Sequence, residues 1–169
     1  MKTYRVFVGL GSNLGDRQAV LQKAVRALGS VPGVRLACIS PAYETDPFGK
    51  TDQPVFLNAA LEITTDAPPD RLMTELQRIE RELGRTDSGH WEPRVVDLDI
   101  LLYDGLTWEA GGLTVPHPGL SERRFALVPL CAIAPDLVHP VSGLTMEDLL
   151  RACPDRGRVV RSVHHLLIS

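Results

Sequence analysis

The stretch Val-Val-Asp-Leu-Asp-Ile-Leu-Leu-Tyr at residues 95–103 constrains this chain more than any other. Its branched and aromatic residues mark a strand, and a strand sends successive side chains to opposite faces. Val96, Leu98, Ile100 and Leu102 then share one face, and Val95, Asp97, Asp99, Leu101 and Tyr103 share the other. Asp97 and Asp99 stand roughly 6.6 Å apart at a rise of ~3.3 Å per residue. Carboxylates that close repel, and Asp is disfavoured inside strands. A divalent cation resolves the conflict, since magnesium takes oxygen ligands and is commonly shared between one or two carboxylates and substrate phosphates. Taken alone, the pattern fits equally two surface aspartates on an edge strand, or a pair neutralised by Arg94. Arg85 and Arg94, both close in sequence, favour the phosphate site.

The elements around this strand define the fold class. A Val- and Phe-rich run over about Tyr4–Leu10 reads as a strand, and Val20, Leu21, Ala24, Val25 and Leu28 recur at helical spacing up to Gly29. Strands are expected over about Val34–Tyr43 and Val55–Thr64. A helix follows from Pro69, with Leu72, Leu76, Ile79 and Leu83 in one stripe, and ends at Gly84. The order β-α-β-β-α-β is that of an α+β, ferredoxin-like βαββαβ core, an antiparallel sheet flanked by helices. The last third adds a helix near Arg124–Ala134, a second from Thr145 with capping-box spacing to Asp148, and a tail over Arg158–Ile168 suited to an edge strand. With 169 residues and no repeat or linker, residues 1–169 are expected to form a single domain.

Charge and cysteine content exclude several function classes. A formal net charge of −3 argues against broad nucleic-acid binding. Three scattered cysteines form neither a disulfide framework nor a zinc cluster. No apolar run approaches a bilayer span and the N-terminus lacks a signal peptide, so a cytoplasmic protein without membrane attachment is expected.

Other candidates lie elsewhere along the chain. Gln77 and Glu80 flank the apolar stripe of the second helix, where plain helix surface is the commoner role. The loop after Gly84 carries His90, Trp91 and Arg94, suited to covering a nucleotide and forking onto phosphate. His117 is pinned between Pro116 and Pro118, beside Arg123 and Arg124, which points to phosphate contact. His139, His164 and His165 lack such company and read as structural. Gly49-Lys50-Thr51 imitates the end of a phosphate loop, but Glu44 stands where that motif needs Gly and a strand follows instead of a helix. Gly9, Gly11 and Gly15 likewise miss the dinucleotide spacing.

Five segments, in order, carry a resemblance: GSNLGDR from Gly11, YETDPFGKTDQPVFLNAA from Tyr43, QRIERELGR from Gln77, WEPRVVDLDILLYDG from Trp91 and TVPHPGLSERRFALVPL from Thr114. Together they are similar to the 6-hydroxymethyl-7,8-dihydropterin pyrophosphokinase family. The resemblance implies that Asp97 and Asp99 bind two Mg²⁺ ions bridging the phosphates of ATP, the co-substrate. It assigns ATP to Gln77, Glu80, Arg85, Trp91, Arg94, Ile100, Thr114, His117 and Arg123. The pterin falls to Thr45, Asp46, Phe48, Phe56, Asn58 and Phe125. The pterin hydroxymethyl oxygen would attack the β-phosphorus and release AMP, with Arg94, His117 and Arg123 as catalytic residues, in a monomer. Two departures stand out: the loop TDSGH before Trp91 is short, and Gly112 sits where some relatives place an Arg on ATP. Rival readings are a ferredoxin-like nucleotidyl transferase or cyclase, which would release pyrophosphate, and a non-catalytic ligand-binding module.

Overall fold

A computed structural model describes residues 2–49, 51–85 and 95–168. Its elements are β1 (Tyr4–Ser12), α1 (Arg17–Gly29), β2 (Val34–Ile39), β3 (Tyr43–Thr45), β4 (Phe56–Thr65), α2 (Pro69–Glu82), β5 (Asp97–Tyr103), β6 (Trp108–Ala110), β7 (Leu113–Val115), α3 (Arg124–Ile133), α4 (Met146–Ala152) and β8 (Val159–Arg161). The main sheet runs β5-β1-β4-β3-β8, and β2 also pairs with β4. All its pairings are antiparallel. This is the expected ferredoxin-like sheet, with additions after β5.

Two apolar clusters sandwich the sheet. On one face Val6, Val8, Leu10, Leu57, Leu61, Leu98 and Ile100 meet Leu21, Val25 and Leu28 of α1 and Leu72, Leu76 and Ile79 of α2. Burying each such Leu, Ile or Val contributes about 1.5–3 kcal/mol. On the other face Phe7, Ala60, Leu101 and Leu102 meet Leu127 and Leu130 of α3 and Met146 and Leu149 of α4. The cap expected at Thr145 is present, its hydroxyl accepting the Asp148 N–H at 3.1 Å, and Asp16 likewise accepts from the Ala19 N–H at 3.1 Å.

The structure corrects the expected elements at three places. The single strand expected over Val34–Tyr43 is two, because Pro41 offers no N–H and Ser40 breaks the ladder. Ser40 stays attached through its own N–H to the Ala60 carbonyl (2.9 Å) and its hydroxyl, which accepts the Ala60 N–H (2.9 Å). On β5, Val8 pairs with Ile100 and Phe7 with Leu102, leaving Leu101 as an extra, bulged residue. Strict alternation therefore fails beyond Ile100: Leu102 joins Leu101 on the aspartate face, and Tyr103 turns into the α1/α2 core. The third place is the hairpin β6–β7, which sequence periodicity did not signal. Gly111 and Gly112, at φ 60° and 79°, form its two-residue turn, a geometry that demands positive φ at both positions. That turn is a structural reason for the missing Arg at 112. The tail adds β8 to the β3 edge, as three residues only.

Candidate active site

The aspartate face of the sheet is covered by α3 and α4 at one end and open at the other. In the open half, register places Asp97 beside Gly11 and Gly11 beside Asn58, a row across β5, β1 and β4. Asp99 lies beside Gly9, which lies beside Ala60. The central strand thus offers only glycine between the carboxylates and Asn58, leaving a bare floor roughly 10 Å wide at ~4.8 Å per strand. Above it is a cleft of about 300 Å³ lined by Thr45, Asp46, Phe48, Phe56, Asn58, Met73, Gln77, Glu80, Arg85, Asp97, Leu98, Asp99, Arg123 and Phe125. Every residue expected on the pterin side lines it, together with both aspartates and four residues expected on ATP.

The walls are built by short polar links. The Asn58 amide donates to the Thr45 hydroxyl at 2.6 Å, which leaves the amide oxygen of Asn58 as an acceptor. A Cβ on Gly11 would stand 2.6 Å from that oxygen, so only glycine lets the amide lie over β1. Phe48 and Phe125 face each other with ring centres 6.0 Å apart, and the Arg123 guanidinium sits 5.6 Å from the Phe48 ring centre. On the opposite wall Glu80 reaches from α2 to the outer edge of β5, accepting the Leu98 N–H at 2.8 Å. Arg85 bridges Glu80 and Asp97, 3.0 Å from the latter.

The electrostatics follow from this crowding of acids. Burial, then the charges of Asp97 and Glu80, push the Asp99 carboxyl up to about 7. Burial also raises Glu80, against the Leu98 N–H and Arg85, which favour its charged form. Three carboxyls among the described residues thus share Arg85 and Arg123, and a divalent cation would add positive charge there. Among the described residues no three His, Cys, Asp or Glu side chains gather at one point. Two aspartates completed by phosphate oxygens and water fit magnesium, which keeps much of its shell outside the protein. A pH dependence follows. Asp99 is raised from an unfolded value near ~3.9, so the metal-free fold holds a proton that the unfolded chain releases. That contribution is full below about pH 4 and is lost as pH rises through about 7. Melting curves in EDTA should therefore show wild type losing stability over this interval relative to Asp99→Asn. Parallel curves would refute the shift.

His117 joins this cleft to a neighbouring groove. Its backbone N–H donates to the carbonyl of the bulged Leu101 at 3.0 Å, anchoring it to β5. Its Nδ1 accepts the Gly119 N–H at 3.1 Å, which puts the proton of the neutral ring on Nε2. Burial, then Arg123, lower it to about 4, so at neutral pH it offers an uncharged N–H donor. A small recess beneath it is shared with Asp97, Asp99 and Arg123. The groove beyond, about 420 Å³, contains Trp108, Thr114 and His139. Thr114 is therefore near His117 but outside the main cleft. The Ile100 side chain lies in the α1/α2 core, away from the cleft. Trp91 and Arg94, like His90, lie outside the described residues. Met73 and the two floor glycines were not anticipated. Met73 is four residues before Gln77 and seven before Glu80, a helical spacing that places all three on one face.

Comparison with known proteins bears on this arrangement. A family model described as 7,8-dihydro-6-hydroxymethylpterin-pyrophosphokinase (HPPK) matches residues 7–135. The 2-amino-4-hydroxy-6-hydroxymethyldihydropteridine pyrophosphokinase of Methylorubrum extorquens is 45% identical over 153 residues, 90% of this chain and 96% of that protein. The folic acid synthesis protein fol1 of Schizosaccharomyces pombe is 42% identical over 151 residues; the match covers 89% of this chain but 21% of fol1, so this chain spans about a fifth of that relative. The wild-type HPPK-DHPS of Plasmodium falciparum crystallised with pteroate superposes with a TM-score of 0.75 at 15% identity, over 89% of this chain and 44% of that one. That last likeness speaks to fold alone.

Proposed function

Because the chain belongs to the 7,8-dihydro-6-hydroxymethylpterin-pyrophosphokinase family and is a pyrophosphokinase of folate biosynthesis, we propose that its cleft transfers diphosphate from ATP to the hydroxymethyl group of 6-hydroxymethyl-7,8-dihydropterin. The observation that supports this reading is the cross-strand row Asp97–Gly11–Asn58, with Asp99 beside Gly9, which sets two carboxylates and an amide on one floor. Asn58, held by Thr45, meets the polar edge of the pterin, with Asp46 alongside. Phe48, Phe56 and Phe125 enclose its ring, by stacking or edge contact.

Asp97 and Asp99 would hold Mg²⁺, two ions in this reading. When bound there, the metal neutralises phosphate charge and orients the β-phosphoryl group. Arg123 and Arg85 address phosphate oxygens, with Gln77 and Glu80 at the rim; by the resemblance Trp91 and Arg94 complete the set. His117 donates its Nε2–H to a phosphate oxygen as a neutral group. Thr114 accompanies the nucleoside along the adjoining groove. Ile100 contributes through its backbone. The Leu98 N–H points to the outer edge of β5, and strand alternation turns the Ile100 N–H and carbonyl the same way. A bond forms between the pterin hydroxymethyl oxygen and the β-phosphorus. The bond from that phosphorus to the α,β-bridging oxygen breaks, AMP leaves with that electron pair, and the hydroxyl proton passes to solvent. Positioning and charge stabilisation do the catalysis.

We read the protein as a monomeric single domain, a reading that rests on the family resemblance. No helix among the described residues is long and apolar enough to cross a membrane. Cys38, Cys131 and Cys153 are free thiols, and ATP is an intracellular substrate, which together suit the cytoplasm. The test supplies the pterin, ATP and Mg²⁺ and identifies the nucleotide product. AMP is expected, with activity lost in EDTA and restored by Mg²⁺; ADP or pyrophosphate would overturn the proposal.

A further inference from the structure

Arg17, the first residue of α1, lies outside the cleft and touches none of its lining residues through the bonds it makes. Its guanidinium grips Glu44 with both nitrogens, Nη1 at 2.6 Å and Nη2 at 3.0 Å, and Nη1 also donates to the Val55 carbonyl at 3.0 Å. Both partners of the ion pair are half-buried, which sharpens a fork that would contribute little in open solvent. Glu44 precedes Thr45 and Asp46, while Val55 precedes Phe56 and stands three residues before Asn58. In the ladder Glu44 pairs with Leu57 and Thr45 with Phe56. One side chain therefore fixes the end of β3 and the start of β4 at once, the two backbones that carry four of the six pterin-wall residues. Asn13, on the same β1–α1 turn, adds bonds to Gln53 at 2.9 Å and to the Pro54 carbonyl at 3.0 Å. None of these contacts reaches the β5 side, where Asp97, Asp99 and Glu80 lie.

We infer that Arg17 is a positioning residue for the pterin half of the site, acting through Glu44 and Val55 and leaving the phosphate half untouched. The inference rests on the pyrophosphokinase reading above. Steady-state kinetics with each substrate varied test it. Arg17→Ala should raise KM for the pterin about tenfold, with KM for ATP and kcat within about twofold of wild type. Arg17→Lys, which keeps the charge but not the fork, should fall between the two, as should Glu44→Gln. A melting temperature within about 4 °C of wild type is expected for Arg17→Ala. If that variant does not fold, Arg17→Lys decides by the same ratio of KM values. Equal rises in both KM values, or an unchanged pterin KM, would overturn the inference. Wild type that fails to turn over would instead remove the reading beneath it.

Discussion

Asp99→Asn is expected to remove turnover, by on the order of 10³-fold, while making the metal-free protein more stable above pH 7. The two effects have one cause. Asp99 is enclosed beside Asp97 and Glu80, and burial and their charges push its carboxyl up to about 7. At higher pH the fold must accommodate a buried negative charge that Arg123 and Arg85 only partly offset, and that a neutral amide of the same shape does not carry. The amide, however, is a poor substitute for a carboxylate toward magnesium. Asp97→Asn should be equally inactive but without the gain in stability, because Asp97 accepts from Arg85 at 3.0 Å and the substitution gives up that ion pair. Melting curves in EDTA at pH 8, with and without later addition of MgATP, separate the two variants. Retained turnover in either, or a less stable Asp99→Asn, would contradict this account.

The second large effect is expected at a residue with no side chain. Gly11→Ala places a methyl group 2.6 Å from the Asn58 amide oxygen and 3.8 Å from Phe56 Cδ1. Asn58 is 7% exposed and tied to Thr45, so it can yield only by breaking that link. The pterin KM should rise by roughly 10- to 100-fold, with a loss of stability of about 1–3 kcal/mol from overpacking. Gly105→Ala is the control, since a Cβ there meets nothing within 4 Å. It should leave both quantities unchanged. A Gly11→Ala variant with wild-type pterin KM would show that Asn58 does not need its place over β1.

Much of the lining of the candidate cleft could be read from the chain because its pattern is local. Asp97 and Asp99 are two residues apart on a strand, and alternation alone puts them together. Thr45, Asp46, Phe48, Phe56 and Asn58 sit in one continuous segment whose resemblance was specific. What escaped was set by pairing between distant strands. Gly11 matters only because register brings Asn58 opposite it, and no local pattern announces a partner 47 positions away. The Arg17–Glu44 pair hides for the same reason: Glu44 was noticed only as a mismatch to a phosphate loop. Periodicity failed at Tyr103 because one extra residue in a ladder is invisible until the neighbouring strand is known. The hairpin at Gly111–Gly112 went unread, because strands of three residues are too short for alternation to stand out.

The bulge at Leu101 has a consequence for how such a chain can change over time. Before it, β5 presents acids to the cleft; after it, the same face presents Leu101 and Leu102 to α3 and α4. The strand thus changes frame by one residue, and the displaced carbonyl is the one that holds His117. Insertions or deletions within residues 97–103 would shift acids into oil and oil into the cleft together. Lineages related to this one should therefore vary in length on either side of this strand but keep its residue count fixed.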